Sequence, residues 1–153
     1  MKNLSIPTDA DSIRNRIAAL QSTDQRRWGA MNAAQMVCHL ADAFAGPLGQ
    51  HPMPPHNASR PPVPRGMYKW LALNVPVKWP QGVATIPTMD QQIGGTPPAT
   101  FATDRSRLFT CLDAFVSFAG PWPSHPIFGA MNASEWMRWG YLHTDHHLRQ
   151  FGR

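Results

Sequence analysis

The chain has 153 residues, of which 42% are hydrophobic and 15% are charged. This length suits one domain with a substantial core, and we expect a single domain over residues 1–153. No apolar run approaches the roughly 18 residues that a membrane span requires. The segment from Met1 to Asp11 also lacks the apolar stretch of a signal peptide. We therefore expect no membrane partner.

The net charge of +5 comes from basic residues that are scattered along the chain. They form neither the stripe nor the block that a nucleic-acid footprint would show. We expect a solvated basic surface and no nucleic-acid partner, with phosphate binding as the lesser alternative.

The two cysteines, Cys38 and Cys111, have no CxxC or other metal-binding spacing. Both fall within segments that we predict to be helical, so buried free thiols are favoured over a disulfide. Free thiols favour a cytoplasmic location.

Hydrophobic periodicity predicts an all-α protein, a four-helix bundle. The predicted helices span residues 9–20, 32–45, 103–119 and 132–151. Thr8 or Asp9 can cap the first helix. The second and fourth helices open with Asn32-Ala-Ala-Gln35 and Asn132-Ala-Ser-Glu135, and each sequence has the form of a capping box.

Two local patterns recur along the chain. Ala45-Gly46-Pro47 and Ala119-Gly120-Pro121 each place a glycine that can turn left-handed before a proline, which predicts the ends of two helices. The sequence Trp28 to Gln35 also echoes Phe128 to Glu135. Two similar helix starts explain this second repeat, although the two helices could also be symmetric partners around one site.

The stretch from Pro47 to Pro98 holds most of the 16 prolines. Prolines interrupt regular elements, and only Gly66 to Asn74 is predicted to be a short helix there. A disordered linker is one interpretation, but aromatic anchors such as Trp70 and Trp79 are rare in disordered segments. We predict an ordered excursion that packs over the bundle.

Three of the seven histidines lie within five residues near the C-terminus, at positions 143, 146 and 147. Residues four apart on a helix have Cβ atoms about 5–6 Å apart, so His143 and His147 can aim two imidazoles at one point. A helical wheel places both on the same face as Trp136, Trp139 and Phe151. Such inward histidines could be hydrogen-bonded core residues, but a bound metal ion would satisfy both.

A third ligand is needed, and His39 is the natural candidate because it lies within the second predicted helix. Alone, it would be interpreted as a histidine at a core boundary. The three other histidines lie in proline-rich loops and are weaker candidates; they are His51, His56 and His125.

Taken together, the three positions resemble the DinB/YfiT-like superfamily of four-helix-bundle metalloproteins, which has one histidine on the second helix and HxxxH on the last. Helix order, chain length and the segment from Glu135 to Phe151 extend the resemblance. It implies a divalent metal bound by His39, His143 and His147. Zinc is favoured, and nickel, iron and manganese remain open because imidazole suits several metals. Some members of the superfamily transfer or isomerise groups with low-molecular-weight thiols.

Four further polar residues are expected to support the ligands or line the rim of the site; they are Gln35, Asp42, His146 and Gln150. Gln35 or Asp42 could orient His39. No residue is assigned a catalytic role.

Three histidines with an open coordination position are typical of catalytic rather than structural zinc. We therefore expect a metal-dependent enzyme that uses a thiol or hydrolyses a small molecule. The alternative is a non-catalytic metal-binding or ligand-binding module, because no general acid or base is evident. The expected substrate is a small molecule, and a homodimer is the default assembly.

Overall fold

The computed structural model describes residues 1–55, 62–76 and 78–153. These residues form five α-helices and no strand; the helices are α1 (Pro7–Ala19), α2 (Ala33–Ala45), α3 (Arg65–Asn74), α4 (Phe101–Val116) and α5 (Ala133–Gln150). The all-α class is therefore confirmed, with four long helices and one short helix in the proline-rich excursion. None of the described helices is both long and apolar enough to span a bilayer.

The four long helices pack chiefly in two pairs, α2 with α4 and α1 with α5, and α5 also contacts α2 and α3. Helix α5 approaches its neighbours closely at Gly140. A Cβ there would lie 2.8 Å from Leu4 Cδ1, 3.1 Å from Phe115 Cε1 and 3.2 Å from Phe44 Cε1. Real Cβ atoms rarely tolerate such distances, so glycine permits this approach. The contact fixes α5 three residues before His143.

Helix α5 is buried on two faces. The predicted inward face is present, since Trp136, Trp139, His147 and Phe151 are buried. A second buried row also exists; it consists of Met137, Tyr141, Thr144 and Leu148. This row is covered because α1 and the N-terminal segment pack beside it, with the Leu4 amide donating to the Met137 carbonyl at 3.3 Å. Packing on two faces thus fixes the rotation of α5 about its own axis.

Helix α1 begins at Pro7 with Ile6 as its N-cap, so the prediction that Thr8 or Asp9 caps it is wrong. Proline suits the first helical position because its missing N–H would have no partner there. The buried Asp9 carboxylate instead accepts hydrogen bonds from the Asn3 amide and from Lys2. It ties the N-terminal segment to the helix.

Helix α4 begins at Phe101 and ends at Val116, three residues before the predicted end at Ala119. The chain leaves the helix early because Phe118 turns to pack against Trp122, with ring centroids 4.8 Å apart. Trp122 in turn stacks on the buried Trp136 at 5.4 Å. Tertiary aromatic packing therefore ends this helix before the glycine-proline signal does.

Helix α2 ends at Ala45 as predicted, but Gly46 is not the left-handed residue. Its φ of −55° is right-handed, and the chain continues as a short 3-10 helix, Gly46–Leu48. Pro47 fits there because the start of a helical turn needs no N–H donor. Gly49, with a φ of 73°, makes the left-handed turn instead.

The proline-rich excursion is ordered wherever the structure describes it, and it packs on the bundle. Helix α3 contacts α5, and a second 3-10 helix, Pro87–Met89, contacts α2. Trp79 is partly buried against the core, and its indole N–H donates to the Ala72 carbonyl at 3.0 Å. Trp70 is 59% exposed. The excursion therefore lies over the part of the bundle where α2 and α5 meet.

Candidate metal centre

The two helices that carry the histidine cluster start in the same way. The side chains of Asn32 at α2 and Asn132 at α5 each accept a hydrogen bond from the backbone N–H of the third helical residue. Those third residues are Gln35 and Glu135, and their side chains in turn accept from the backbone N–H of the asparagine. A left-handed glycine precedes each cap by three residues. The sequence repeat thus marks two equivalent capping boxes, at the heads of the two helices that bring histidines together.

Three imidazole nitrogens converge between α2 and α5. His143 Nε2 lies 3.2 Å from His39 Nε2 and 3.2 Å from His147 Nε2. His39 and His147 are buried, whereas His143 is only partly buried. The sequence prediction that His39 meets the C-terminal pair is therefore confirmed.

The spacing of these nitrogens suits a divalent metal ion. All three ligand atoms lie within 4.8 Å of one another. Two nitrogens bound to a tetrahedral metal at about 2.0–2.1 Å are roughly 3.3 Å apart. The 3.2 Å separations are close to that value. The three histidines could thus hold a metal ion.

The remaining ring nitrogens of two histidines have fixed acceptors. His39 Nδ1 donates to the Met89 carbonyl at 2.9 Å, and His147 Nδ1 donates to Gln150 Oε1 at 2.7 Å. A carbonyl oxygen can only accept, so each Nδ1 carries the proton and each Nε2 presents its lone pair. This is the tautomer that a ligating imidazole with a second-sphere acceptor adopts.

His143 cannot complete this cluster by hydrogen bonding alone. If His143 Nε2 carries a proton, it can donate to only one of its two neighbours, His39 Nε2 and His147 Nε2, and the lone pair of the other has no donor. Its Nδ1 is buried without a hydrogen-bond partner among the described residues, and its ring stacks on Trp139 at 4.9 Å. Unsatisfied buried polar atoms cost free energy. A cation bound by the three Nε2 atoms would satisfy all three lone pairs.

The electrostatic environment keeps the imidazoles neutral. Burial lowers the pKa of His39, although the Met89 carbonyl opposes that shift. Burial and the neighbouring histidines lower the pKa values of His143 and His147 well below the usual value. Neutral imidazole is the form that binds metal.

Two of the four predicted supporting residues, Gln35 and Asp42, form their hydrogen bonds with groups other than the His39 ring. The Gln35 side chain accepts from the Asn32 amide in the capping box. The Asp42 carboxylate accepts from Thr96, Gln91 and Arg107. The Met89 carbonyl takes the role that had been predicted for them, because the excursion covers the face of α2 from which His39 projects. No residue-type signal could have revealed a backbone carbonyl.

The two other predicted supporting residues lie beside the cluster. Gln150 contacts His147 directly through the hydrogen bond described above. The His146 ring lies 5.3 Å from the His147 ring and faces Trp28 and Trp79 at 6.2 and 6.3 Å. His146 is thus at the rim of the site and outside the converging set.

The other histidines do not join the cluster. His51 Nε2 donates to the Thr88 carbonyl at 3.0 Å. His125 Nδ1 accepts from the amides of Ile127 and Phe128 at 3.1 and 3.2 Å, and burial lowers its pKa to about 3. His56 lies outside the described residues. His51 and His125, the weaker candidates, thus lie outside the converging set.

Cys38 and Cys111 are both free and buried, as predicted. Burial raises the pKa of Cys38 to about 12 and raises the pKa of Cys111. The thiolate is the reactive form of cysteine. Burial therefore disfavours the reactive form of both cysteines at neutral pH.

The fold and site define a helical-bundle protein with a largely buried three-histidine group that could hold a divalent metal. The chain belongs to the DUF1569 family, a family described as proteins of unknown function, whose model matches residues 1–153. Comparison with curated proteins and with solved structures finds no match.

Proposed function

We propose that this protein is a metal-dependent enzyme in which His39, His143 and His147 hold a divalent metal ion, with zinc as the favoured metal. The observation that carries the proposal is the convergence of three Nε2 atoms while two of the opposite nitrogens are bonded to acceptors. Nickel, iron and manganese are the alternatives, because imidazole suits each of them. The resemblance to DinB/YfiT-like metalloproteins supports the same assignment.

A catalytic role is favoured over a structural one by the number of protein ligands. Structural zinc is usually closed by four side chains, whereas catalytic zinc keeps three and an open position. His143 is the one member of the group that is not fully buried, so we propose that a small molecule would approach the metal from its side. A metal ion bound there would act as a Lewis acid that lowers the pKa of a thiol or water at the open position.

The side chains around the cluster bind and shield rather than transfer protons. Met89 and Gln150 hold two imidazoles in the ligating tautomer. Trp139 stacks on His143, and Trp79 lies 6.4 Å from the same ring, so aromatic surfaces limit the water that surrounds it. We propose transfer of a low-molecular-weight thiol or hydrolysis of a small molecule as the reaction class.

A non-catalytic metal-binding or ligand-binding module is the second candidate function. It is favoured by Asp42, a buried carboxylate on α2 whose oxygens are already occupied by Thr96, Gln91 and Arg107. Asp42 therefore cannot serve readily as a general base. A site with ordered metal ligands but no available general base would fit binding without turnover.

Elemental analysis of protein purified without a histidine tag tests the metal assignment. We expect about one divalent ion per chain in the wild type and in His146→Ala, and background metal in His143→Ala. His146 is the matched control because it is a neighbouring histidine outside the converging set. Metal-free wild-type protein, or full occupancy in His143→Ala, would overturn the assignment.

Turnover assays separate the two candidate functions. The metal-loaded protein is offered a model electrophile with low-molecular-weight thiols, and separately a panel of small esters and amides. Activity that disappears in His143→Ala and after chelation supports the enzyme. Stoichiometric metal with no turnover of either substrate class supports the binding module.

A further inference from the structure

One segment of the excursion, residues 87–96, attaches to α2 and to His51, which follows α2 in the chain, and we call this segment the docking loop. Its Met89 and Thr88 carbonyls accept from His39 at 2.9 Å and from His51 at 3.0 Å. Its Thr96 amide and hydroxyl and its Gln91 amide group donate to Asp42 at 2.8, 2.7 and 3.2 Å. The docking loop therefore contacts both His39 of the three-histidine cluster and the buried carboxylate of Asp42, which lie on the same helix.

Asp42 is the main anchor of this loop. Its side chain is 0% exposed, and Arg107 from α4 donates to it at 2.7 Å. Burial raises the pKa of Asp42, but hydrogen bonds from Thr96 and Arg107 outweigh burial and leave the pKa below its usual value. Hydrogen bonds to an ionised acceptor are about twice as strong as neutral ones. Asp42 therefore holds the loop firmly.

The interior of the loop connects the anchored residues to Met89. The Gly94 amide donates to the Pro87 carbonyl at 3.1 Å, and the Gly95 amide donates to the Asp90 carbonyl at 2.8 Å. These bonds close a compact turn on either side of Met89. A displacement of residues 91–96 from Asp42 would therefore displace the Met89 carbonyl as well.

We propose that Asp42 is a positioning residue for the three-histidine centre: by anchoring the docking loop, it holds the Met89 carbonyl against His39 Nδ1. This inference rests on the proposed metal function. The carbonyl keeps the proton on Nδ1 and the Nε2 lone pair directed at the cluster. Without the anchor, the buried Nδ1–H loses its acceptor, and the ring can rotate or take the other tautomer. Loss of a second-sphere partner typically weakens metal binding about 10–100-fold.

Two sets of variants test the proposal. Asp42→Asn removes the charge, and Thr96→Val removes one hydroxyl donor while Thr96→Ser keeps it. Asp9→Asn is the matched control, because Asp9 is also a buried carboxylate that accepts a backbone amide, but it lies on α1. Circular dichroism and urea unfolding establish that each variant is folded. If Asp42→Asn does not fold, the Thr96 pair decides.

The first measurement is the imidazole ¹⁵N spectrum of the metal-free protein at neutral pH. We expect His39 to carry its proton on Nδ1 in the wild type, Thr96→Ser and Asp9→Asn. In Asp42→Asn and Thr96→Val we expect a mixture of tautomers. General loosening of the fold would alter the spectrum of Asp9→Asn to the same extent and would overturn the proposal.

The second measurement is zinc affinity by competition with a chelator. We expect binding about 10–100-fold weaker in Asp42→Asn, several-fold weaker in Thr96→Val, and unchanged in Thr96→Ser and Asp9→Asn. Wild-type affinity together with a wild-type tautomer in Asp42→Asn and Thr96→Val would refute the positioning role. If the wild type binds no metal, the proposed function fails, and the ¹⁵N spectrum still decides whether Asp42 positions His39.

Discussion

His147 is oriented from within its own helix, whereas His39 is oriented by a loop that lies fifty residues along the chain. Gln150 accepts from His147 one helical turn away, and the Met89 carbonyl accepts from His39. The α5 arrangement follows once the helix forms. The α2 arrangement exists only after the excursion has docked. One half of the site is therefore local in sequence, and the other depends on tertiary order.

The strongest test of this comparison removes one ligand from each half. His39→Ala and His147→Ala should each weaken zinc binding more than about 100-fold, because loss of a ligand exceeds the roughly 10–100-fold loss caused by removing a supporting partner. His146→Ala is the control, since His146 neighbours the cluster on α5 but lies outside the converging set. Chelator competition measures the affinities. Retention of affinity in His39→Ala would mean that α5 binds metal without α2.

A second test acts on the local half alone. Gln150→Leu removes the acceptor of His147 Nδ1, and we expect zinc affinity to fall about 10–100-fold. Gln150→Glu keeps an oxygen acceptor at the same place and should retain most of the affinity. A small imidazole shift confined to His147 in the ¹⁵N spectrum would show that the two halves are independent. Equal affinity in Gln150→Leu and the wild type would contradict the role of this hydrogen bond.

The local half of the site is also the half that the sequence could predict. HxxxH and the glutamine three residues later translate directly into positions on a helix, because helical geometry converts spacing into distance. The capping boxes at Asn32 and Asn132 were predictable for the same reason. These signals placed the histidines on α2 and α5.

The non-local half could not be predicted from residue types. Any residue can supply a backbone carbonyl, so Met89 carries no signal for its contact with His39. Asp42 lies three residues after His39, and a helical wheel gives the direction in which its side chain points. The wheel does not reveal which distant segment of the chain packs over that side chain. The early end of α4 has the same origin, since Phe118 turns towards Trp122 through tertiary packing.

A third test uses His125, which is buried outside both halves of the cluster. Its pKa of about 3 in the folded protein lies below the usual 6.5, so the folded state favours the neutral ring. The resulting stabilisation is complete above about pH 6.5 and is lost as the pH falls towards 3. His125→Asn keeps a side-chain oxygen that can accept from the Ile127 and Phe128 amides.

Between about pH 6 and pH 4, the metal-free wild type should therefore lose up to about 1.4 kcal/mol of unfolding free energy per pH unit more than His125→Asn. Urea unfolding at several pH values measures the difference. The acid sensitivity that remains in the variant belongs to groups other than His125, including the cluster. Parallel profiles for the two proteins would show that His125 does not contribute.

The smallest expected effect comes from the interior of the docking loop. A Cβ at Gly94 would lie 3.0 Å from the Pro87 carbonyl oxygen and 3.3 Å from Thr88 Cα, both beside Met89. Gly94→Ala should shift this turn by a few tenths of an ångström and weaken zinc binding several-fold, less than the roughly tenfold minimum for losing a partner. Gly66→Ala on α3 is the control, because nothing lies within 4 Å of its added Cβ. If Gly94→Ala binds zinc like the wild type, the turn accommodates the added methyl group without moving the Met89 carbonyl, and this prediction is wrong.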